Sequence, residues 1–255
     1  MRELTVAASV ARALMKLAAS KGASRKTLFD RSRIALPDLE DSDNRIPFGK
    51  FVALMRAAKE LCNDPAFALH FGEEVDASEI SLVHMMGGAD NFGDALAQGN
   101  RYARLAIEVE SDGSGDRFQL RRVAGQLWFV DARGNPNEFP ELTESAFARM
   151  SCSMRKLSGD GRIVREVHVS HADPGYRAEY DRIFGVPVVF GSDMNALRID
   201  EALMSSFAFP TPSTYVAGVM RDHADKLLEK LEGERSTRAH VENLLTPLLQ
   251  TGEGN

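Results

Sequence analysis

The feature that most constrains this chain is a change of hydrophobic period near Ser111. Before it, apolar residues recur at helical spacing. After the loop "SDGSGD" (111–116), the stretches "RFQLRR" and "QLWFVD" alternate apolar and polar residues around "VAG". A period of 3.6 and a period of 2 belong to different elements, so a helical block must be followed by a β-hairpin. The expected fold class is therefore α+β. A helical N-terminal subdomain spans 1–110. A small, mostly antiparallel sheet of about four to five strands flanked by helices spans 111–212, and a helical coupling segment spans 213–255.

Within the helical block, "TVAASVARALMKLAA" reads as helix from its first residue, with Val6, Val10, Ala13, Leu14 and Leu17 on one stripe and Gly22 at its end. Ser24 is placed to cap a short second helix. "LPDLEDSDNRIP" reads as a solvated acidic loop, and "PFGKFVALMRAAKELC" as the next helix. Asp64-Pro65 suits the start of a further helix, "AFALHFGEEV". "EISLVHMMGG" reads as a short apolar helix, and "NFGDALAQGNRYARLAIEVE" as a longer one with Asn91 as its cap. Past the hairpin, "PELTESAFARMSCSMRKLSG" and "RAEYDRIFG" are helical and "VREVHVS" is a strand. "VPVVF" and "NALRID" read as strands joined across "GSDM", a loop of hairpin length. Pro187 places the first of these two strands at a sheet edge.

Composition narrows the function classes. The net charge of −6 and pI near 5.6 do not suit a surface that grips a phosphate backbone. They suit a domain that binds a small molecule or another protein. Cys62 and Cys152 lack paired spacing and read as reduced thiols. Arg12 and Lys16 interrupt the apolar N-terminal stretch, and no run has the length of a membrane span, so the expected location is the cytoplasm with no membrane partner.

Chemistry-bearing motifs are scarce. There is no nucleophile elbow, phosphate-binding loop or dinucleotide fingerprint, and no cofactor is expected. His168 and His171 form an H-x-x-H pair, but residues three apart on a strand point to opposite faces, which argues against a shared metal. Met85, Met86, Met150, Met154 and Trp128 stand at helix and strand spacing and read first as core. Methionines and aromatics also line adaptable ligand pockets where a helical part meets a sheet.

Three segments together carry a family resemblance: "NDPAFALHFGEEV", "LVHMMGGADNFGDALAQGNRYARL" and "VREVHVSHADPGYRAEYDRIFGVPVVFGSDMNALRID". In order and spacing the chain resembles the N-terminal sensor domain of AraC-family bacterial transcriptional regulators, in the branch of arabinose-binding type. Ala89-Asp90-Asn91 departs from the proline and threonine that such domains carry at that place, so arabinose itself is not implied.

The resemblance implies a non-enzymatic, ligand-sensing and dimerising domain. Its partners would be a small-molecule effector of unknown identity and a second copy of the chain. DNA would be met only through a C-terminal helix-turn-helix region that "VENLLTPLLQTGEGN" would introduce and that is expected to be missing from this chain. The candidate ligand-binding residues are Met85, Met86, Tyr102, Trp128, Phe147 and Met150. Arg104 and Arg149 are potential partners for a carboxylate on an acidic effector, although helix-surface arginines are more often simply solvated. The apolar stripe of "YVAGVMRDHADKLLEKL" would pack on its own domain or form a dimer seam. Two other classes stand beside this reading: an enzyme with a sheet-borne site, which perturbed ionisable groups in a cleft would favour, and a plain interaction module, which a large exposed apolar patch would favour.

Overall fold

The computed structural model describes residues 3–75, 92–110, 113, 115–158, 163–205, 218–219 and 221–233. The helix expected over 79–88, the Asn91 cap and the helix expected over 238–250 lie outside the described residues.

The helical part contains α1 (Ala8–Ser20), α2 (Arg25–Ser32), α3 (Phe48–Leu61) and α4 (Phe67–Glu74). Two elements there differ from the sequence expectation. Thr5–Ala7 does not begin the helix but forms a strand, β1, paired antiparallel with β2 (Arg45–Pro47) in the register Val6↔Ile46. Both of those side chains are fully buried. Polar bonds fasten the pair: Arg45 Nε donates to Thr5 Oγ1 at 2.9 Å, and Glu108 accepts from Thr5 Oγ1 at 2.6 Å. The partners lie 40 residues apart, so no local pattern announces them. Asp64 does not cap α4: its carboxylate accepts from the Ala66 amide at 3.1 Å in the turn before the helix, and α4 starts at Phe67 with Ala66 at its N-cap.

The second part holds a five-stranded sheet in the order β3-β4-β7-β5-β6. Its strands are β3 (Phe118–Val123), β4 (Gln126–Asp131), β5 (Val164–His168), β6 (Val188–Val189) and β7 (Ala196–Ile199). The helices are α5 (Phe92–Ala106), α6 (Glu141–Ser158), α7 (Arg177–Phe184) and the short α8 (Glu201–Ser205), with a further helical stretch over 221–233. The β3–β4 hairpin closes through Ala124 and Gly125, both at positive φ (50° and 76°), as a two-residue turn of the twist-matched type requires.

"VPVVF" and "NALRID" do not form a hairpin. β6 runs parallel to β5, with the Val167 and Val169 amides donating to Pro187 O and Val189 O, both at 2.9 Å. β7 pairs antiparallel with β5 on the other side and with β4. The intervening loop steps over the end of β5, where Gly191 N donates to His171 O and Ser192 N to Val169 O. With one edge of β5 taken by β6, the chain crosses to the other edge. β6 is the edge strand that Pro187 calls for.

Two hydrophobic cores result. One joins α1, α3 and α4 around Leu14, Phe51, Phe67 and Phe71. The other lies between the inner sheet face (Phe129, Val167, Leu197) and Phe147 of α6 with Tyr180 and Ile183 of α7. Helices α4 and α6 serve both: Phe71 and Leu142 belong to the first core, Leu69 and Phe147 to the second. The α4–α6 crossing is therefore the joint between the two parts.

A buried ionic hub orients α6 on the sheet. Asp131, at the end of β4, takes two hydrogen bonds from Arg117 at 3.0 Å each, one from Thr143 Oγ1 at 2.9 Å, and faces Arg133 Nε at 3.7 Å. Arg133 in turn donates to Thr143 Oγ1 at 2.9 Å and to the carbonyls of Pro136 and Phe139 at 3.1 Å. The last turn before α6 and the first turn of α6 are thus fixed to the strand.

Candidate functional site

The joint is built by one glycine. A Cβ on Gly72 would stand 2.3 Å from Ser145 O, 2.8 Å from Ala148 Cβ and 3.0 Å from Arg149 N. Helices α4 and α6 therefore touch backbone to backbone, which only a residue without a side chain permits. This contact carries Arg149 of α6 against α4, where its guanidinium lies 5.2 Å from the centre of the Phe71 ring.

Arg149 is unusual among the buried cations. Its one hydrogen bond is a long one, Nη1 to Val75 O at 3.5 Å, and no carboxylate among the described residues pairs with it. The residue is half-buried, and burial alone pulls its pKa down to about 10. The contrast with Arg133 is direct. Burial also brings that group to about 10, but Asp131 and Glu141 act against the shift, and Asp131 lies beside it.

Beside Arg149 on α6, Met150 is half-buried against the second core, which includes the fully buried Phe147 and Phe129. Phe92 and Leu96 of α5 and Phe118 of β3 pack on the same core. Phe129 is stacked by Phe118 at 5.0 Å and met edge-on by Phe92 at 6.5 Å. Adjacent positions of α6 thus carry a guanidinium that meets Phe71 of the first core and an apolar side chain that packs on the second.

The structure brings together only part of the sequence-derived set. Phe147 and Met150 belong to this wall. Trp128 does not: it points to the opposite sheet face with Val130 and Ala196, its ring 4.7 Å from that of His168. Tyr102 sits on the far side of α5, where its hydroxyl donates to Asp225 at 2.8 Å. Met85 and Met86 lie outside the described residues. Arg104 is on the surface and pairs with Glu232 at 2.8 Å, so the two arginines separate into one satisfied and one not. Arg149 is not the solvated arginine that its place in a helical sequence suggests. The only sequence signal for it is a basic residue on the face that carries Ser145 and Ala148 toward Gly72.

The histidines also separate. His168 meets Ser192 Oγ at 3.0 Å and Glu166 at 3.1 Å on the outer sheet face, whereas His171 turns inward to Tyr180 OH at 3.0 Å. No group of three or more potential metal ligands gathers among the described residues.

A second polar cluster has the ingredients of an enzyme site and is closed. Glu144 Oε1 accepts from Tyr176 OH at 2.7 Å and from Tyr180 OH at 2.6 Å, and His171 Nε2 lies 3.9 Å away. Burial pushes the Glu144 carboxyl up, against the two tyrosine hydrogen bonds and the neighbouring His171. Yet Glu144 is 1% exposed and Tyr180 0%, which leaves no room for a substrate at the reacting atoms. The cluster clamps α6 to α7. Tyr180→Phe, which removes one of the two donors to Glu144 Oε1 and the hydroxyl partner of His171 Nε2, is expected to cost about 1.5–3 kcal/mol in a urea unfolding experiment. A cost below about 0.5 kcal/mol would show the clamp to be dispensable.

Comparison with known proteins follows the same line. Residues 22–206 match the family described as the arabinose-binding domain of AraC transcription regulators, N-terminal. The chain belongs to this family. Among individual relatives, this AraC-type domain is 26% identical over 245 residues to the ornithine utilization regulator of Pseudomonas aeruginosa, covering 94% of the chain and 70% of that protein. In fold it is similar to the crystal structure of the transcriptional regulator CdpR from Pseudomonas aeruginosa, with a TM-score of 0.50 at 15% identity. That likeness covers 80% of this chain and 62% of the CdpR chain, so the chain spans less than two thirds of that regulator. Among the described residues no helix is long and apolar enough to cross a membrane.

Proposed function

We propose that this AraC-type domain senses a small-molecule effector at the α4–α6 joint and passes the occupancy on through α5. The observation that carries the reading is the position of α5. Its inner side packs Phe92 and Leu96 on the sheet core, and the Asn100 side chain exchanges hydrogen bonds with the Phe118 backbone at 2.7 and 3.1 Å. Its outer side meets the 221–233 helix through Tyr102–Asp225, Arg101–Asp225 at 2.9 Å and Arg104–Glu232. A ligand that shifts α5 against the sheet shifts that helix too, and a differential affinity for two such arrangements is all that a sensor needs.

Homodimerisation belongs to the proposal, because regulators that read paired half-sites need paired heads. The apolar stripe of the 221–233 helix is largely spent within one protomer, since Ala224, Leu228 and Leu231 are buried there.

A thermal-shift panel of sugars, amino acids and organic acids tests the sensing role. A true effector is expected to raise Tm in a concentration-dependent way, as mass action requires. Sedimentation velocity with and without that compound reads the assembly state. Tyr102→Phe is expected to leave effector affinity within about twofold while weakening the effector's influence on assembly, a coupling of ordinary size being about 1–3 kcal/mol. A panel without a stabilising compound would remove the support for sensing. An assembly response unchanged in Tyr102→Phe would remove the support for this route.

A further inference from the structure

We infer that Arg149 is the receptor for a carboxylate on the effector, and that the effector is an organic monocarboxylate with an apolar remainder. This rests on the sensing reading and names the ligand class for that site.

The other buried or half-buried cations of the helical core and the hub have partners. Arg117 and Arg133 share Asp131, Arg45 lies 3.9 Å from Glu108, and Lys59 reaches Glu141 at 2.8 Å. Each has an anion. Arg149 has one 3.5 Å contact and a ring face. A hydrogen bond of that length contributes little, and the Phe71 ring orients the guanidinium plane without neutralising its charge. Among the described residues this half-buried cation has no counter-charge, an arrangement that is costly to keep.

Its geometry suits an incoming anion. The described side-chain atoms that are sealed from outside and lack a partner include Arg133 Nε, Glu144 Oε2 and Ser151 Oγ, but no nitrogen of Arg149. The free N–H groups of Arg149 are therefore not sealed from outside, although the residue is half-buried. Two parallel N–H donors match the two oxygens of a carboxylate. One negative charge cancels one positive charge, whereas a phosphate dianion would bring an excess charge into the same poorly solvated place. The guanidinium lies against the buried Phe71 ring, and Met150, the next residue of α6, is half-buried on the second core, so an apolar remainder suits this neighbourhood.

The test uses the full chain with sodium hexanoate, sodium benzoate, L-leucine and L-ornithine, the neutral counterparts hexanamide, benzamide and leucinamide, and L-arabinose. Thermal shift ranks them and isothermal titration gives affinities. At least one carboxylate is expected to bind, with its amide about tenfold weaker or worse. The amino acids against the simple acids show which source supplies the carboxylate.

Arg149→Met is expected to lose that affinity about tenfold or more, and Arg149→Lys to recover only part, having charge without the fork. Without ligand, Arg149→Met is expected to melt no lower than the parent, because an uncompensated charge has been removed. Equal binding of acid and amide, retained affinity in Arg149→Met, or a ligand-free Arg149→Met that melts clearly lower each overturns the inference. If only L-arabinose or a neutral compound stabilises the chain, the inference falls while sensing stands. If no compound does, both fall.

Discussion

Asp131→Asn is expected to cost about 3–5 kcal/mol of folding stability, lowering Tm by roughly 6–20 °C for a domain of this size. The substitution barely changes volume, so the loss is electrostatic. Asp131 is fully buried as a side chain and is the anion between two arginines whose own side chains are 10% and 5% exposed. Removing its charge leaves Arg117 without its carboxylate partner and Arg133 with only the field of Glu141, and breaking a buried pair from one side is far costlier than never having built it.

The same group sets an acid limit. Burial alone would raise its pKa, but the Arg117 charge and hydrogen bonds, the Arg133 charge and the Thr143 hydroxyl hold it below the ordinary aspartate value. The folded state thus binds this proton less readily than the unfolded chain. Its stabilisation is present above the ordinary aspartate pKa of about 3.9 and is lost as pH falls through the lower folded value. In Asp131→Asn that part of the acid-unfolding slope should disappear, and an unchanged slope would count against the hub. Because the hub seats the start of α6, the variant should also bind effector less well even below its melting point.

How far the sequence reveals these features depends on the range of the interaction. The β3–β4 hairpin is legible because alternation and an Ala-Gly turn are local. Gly185 at φ 63° after α7 is equally local. β1 is not legible, because three apolar residues running into a helix continue its stripe, and their partner is β2, four tens of residues on. The placement of β6 and β7 fails for the same reason: a short loop suggests a hairpin, but both edges of β5 are available and only tertiary packing chooses. Trp128 and Phe147 read alike as buried apolar residues, and strand parity then sends Trp128 to the face away from α6. Arg149 is the hardest case. A basic residue in a helix reads as solvated until the neighbouring helix is known to lie at backbone contact, and Gly72 alone, one glycine among many in sequence, decides that contact.

Gly72→Val should be the most damaging single change in the helical part. Any β-carbon there meets the Ser145 carbonyl at 2.3 Å, and that atom belongs to a backbone held by its own helix, so it cannot swing aside as a side-chain tip would. Relief requires α4 and α6 to separate, which opens both cores at once, since Phe67 and Phe71 serve one and Leu69, Phe147 and Ala148 the other. Overpacking a core ordinarily costs about 1–3 kcal/mol, and the backbone contact puts this site at or above the upper end. Gly72→Ala already carries the offending carbon and should lose about 2–3 kcal/mol. Gly49→Ala, in α3 with nothing within 4 Å of the new carbon, should lose nothing and can gain up to about 1 kcal/mol from helix propensity. Parting the helices also draws Phe71 and Val75 away from Arg149, so carboxylate binding should weaken in Gly72→Ala below its melting temperature. Parent-like stability in Gly72→Ala would mean that the two helices do not touch at their backbones, and the fixed wall beside Arg149 would go with that contact.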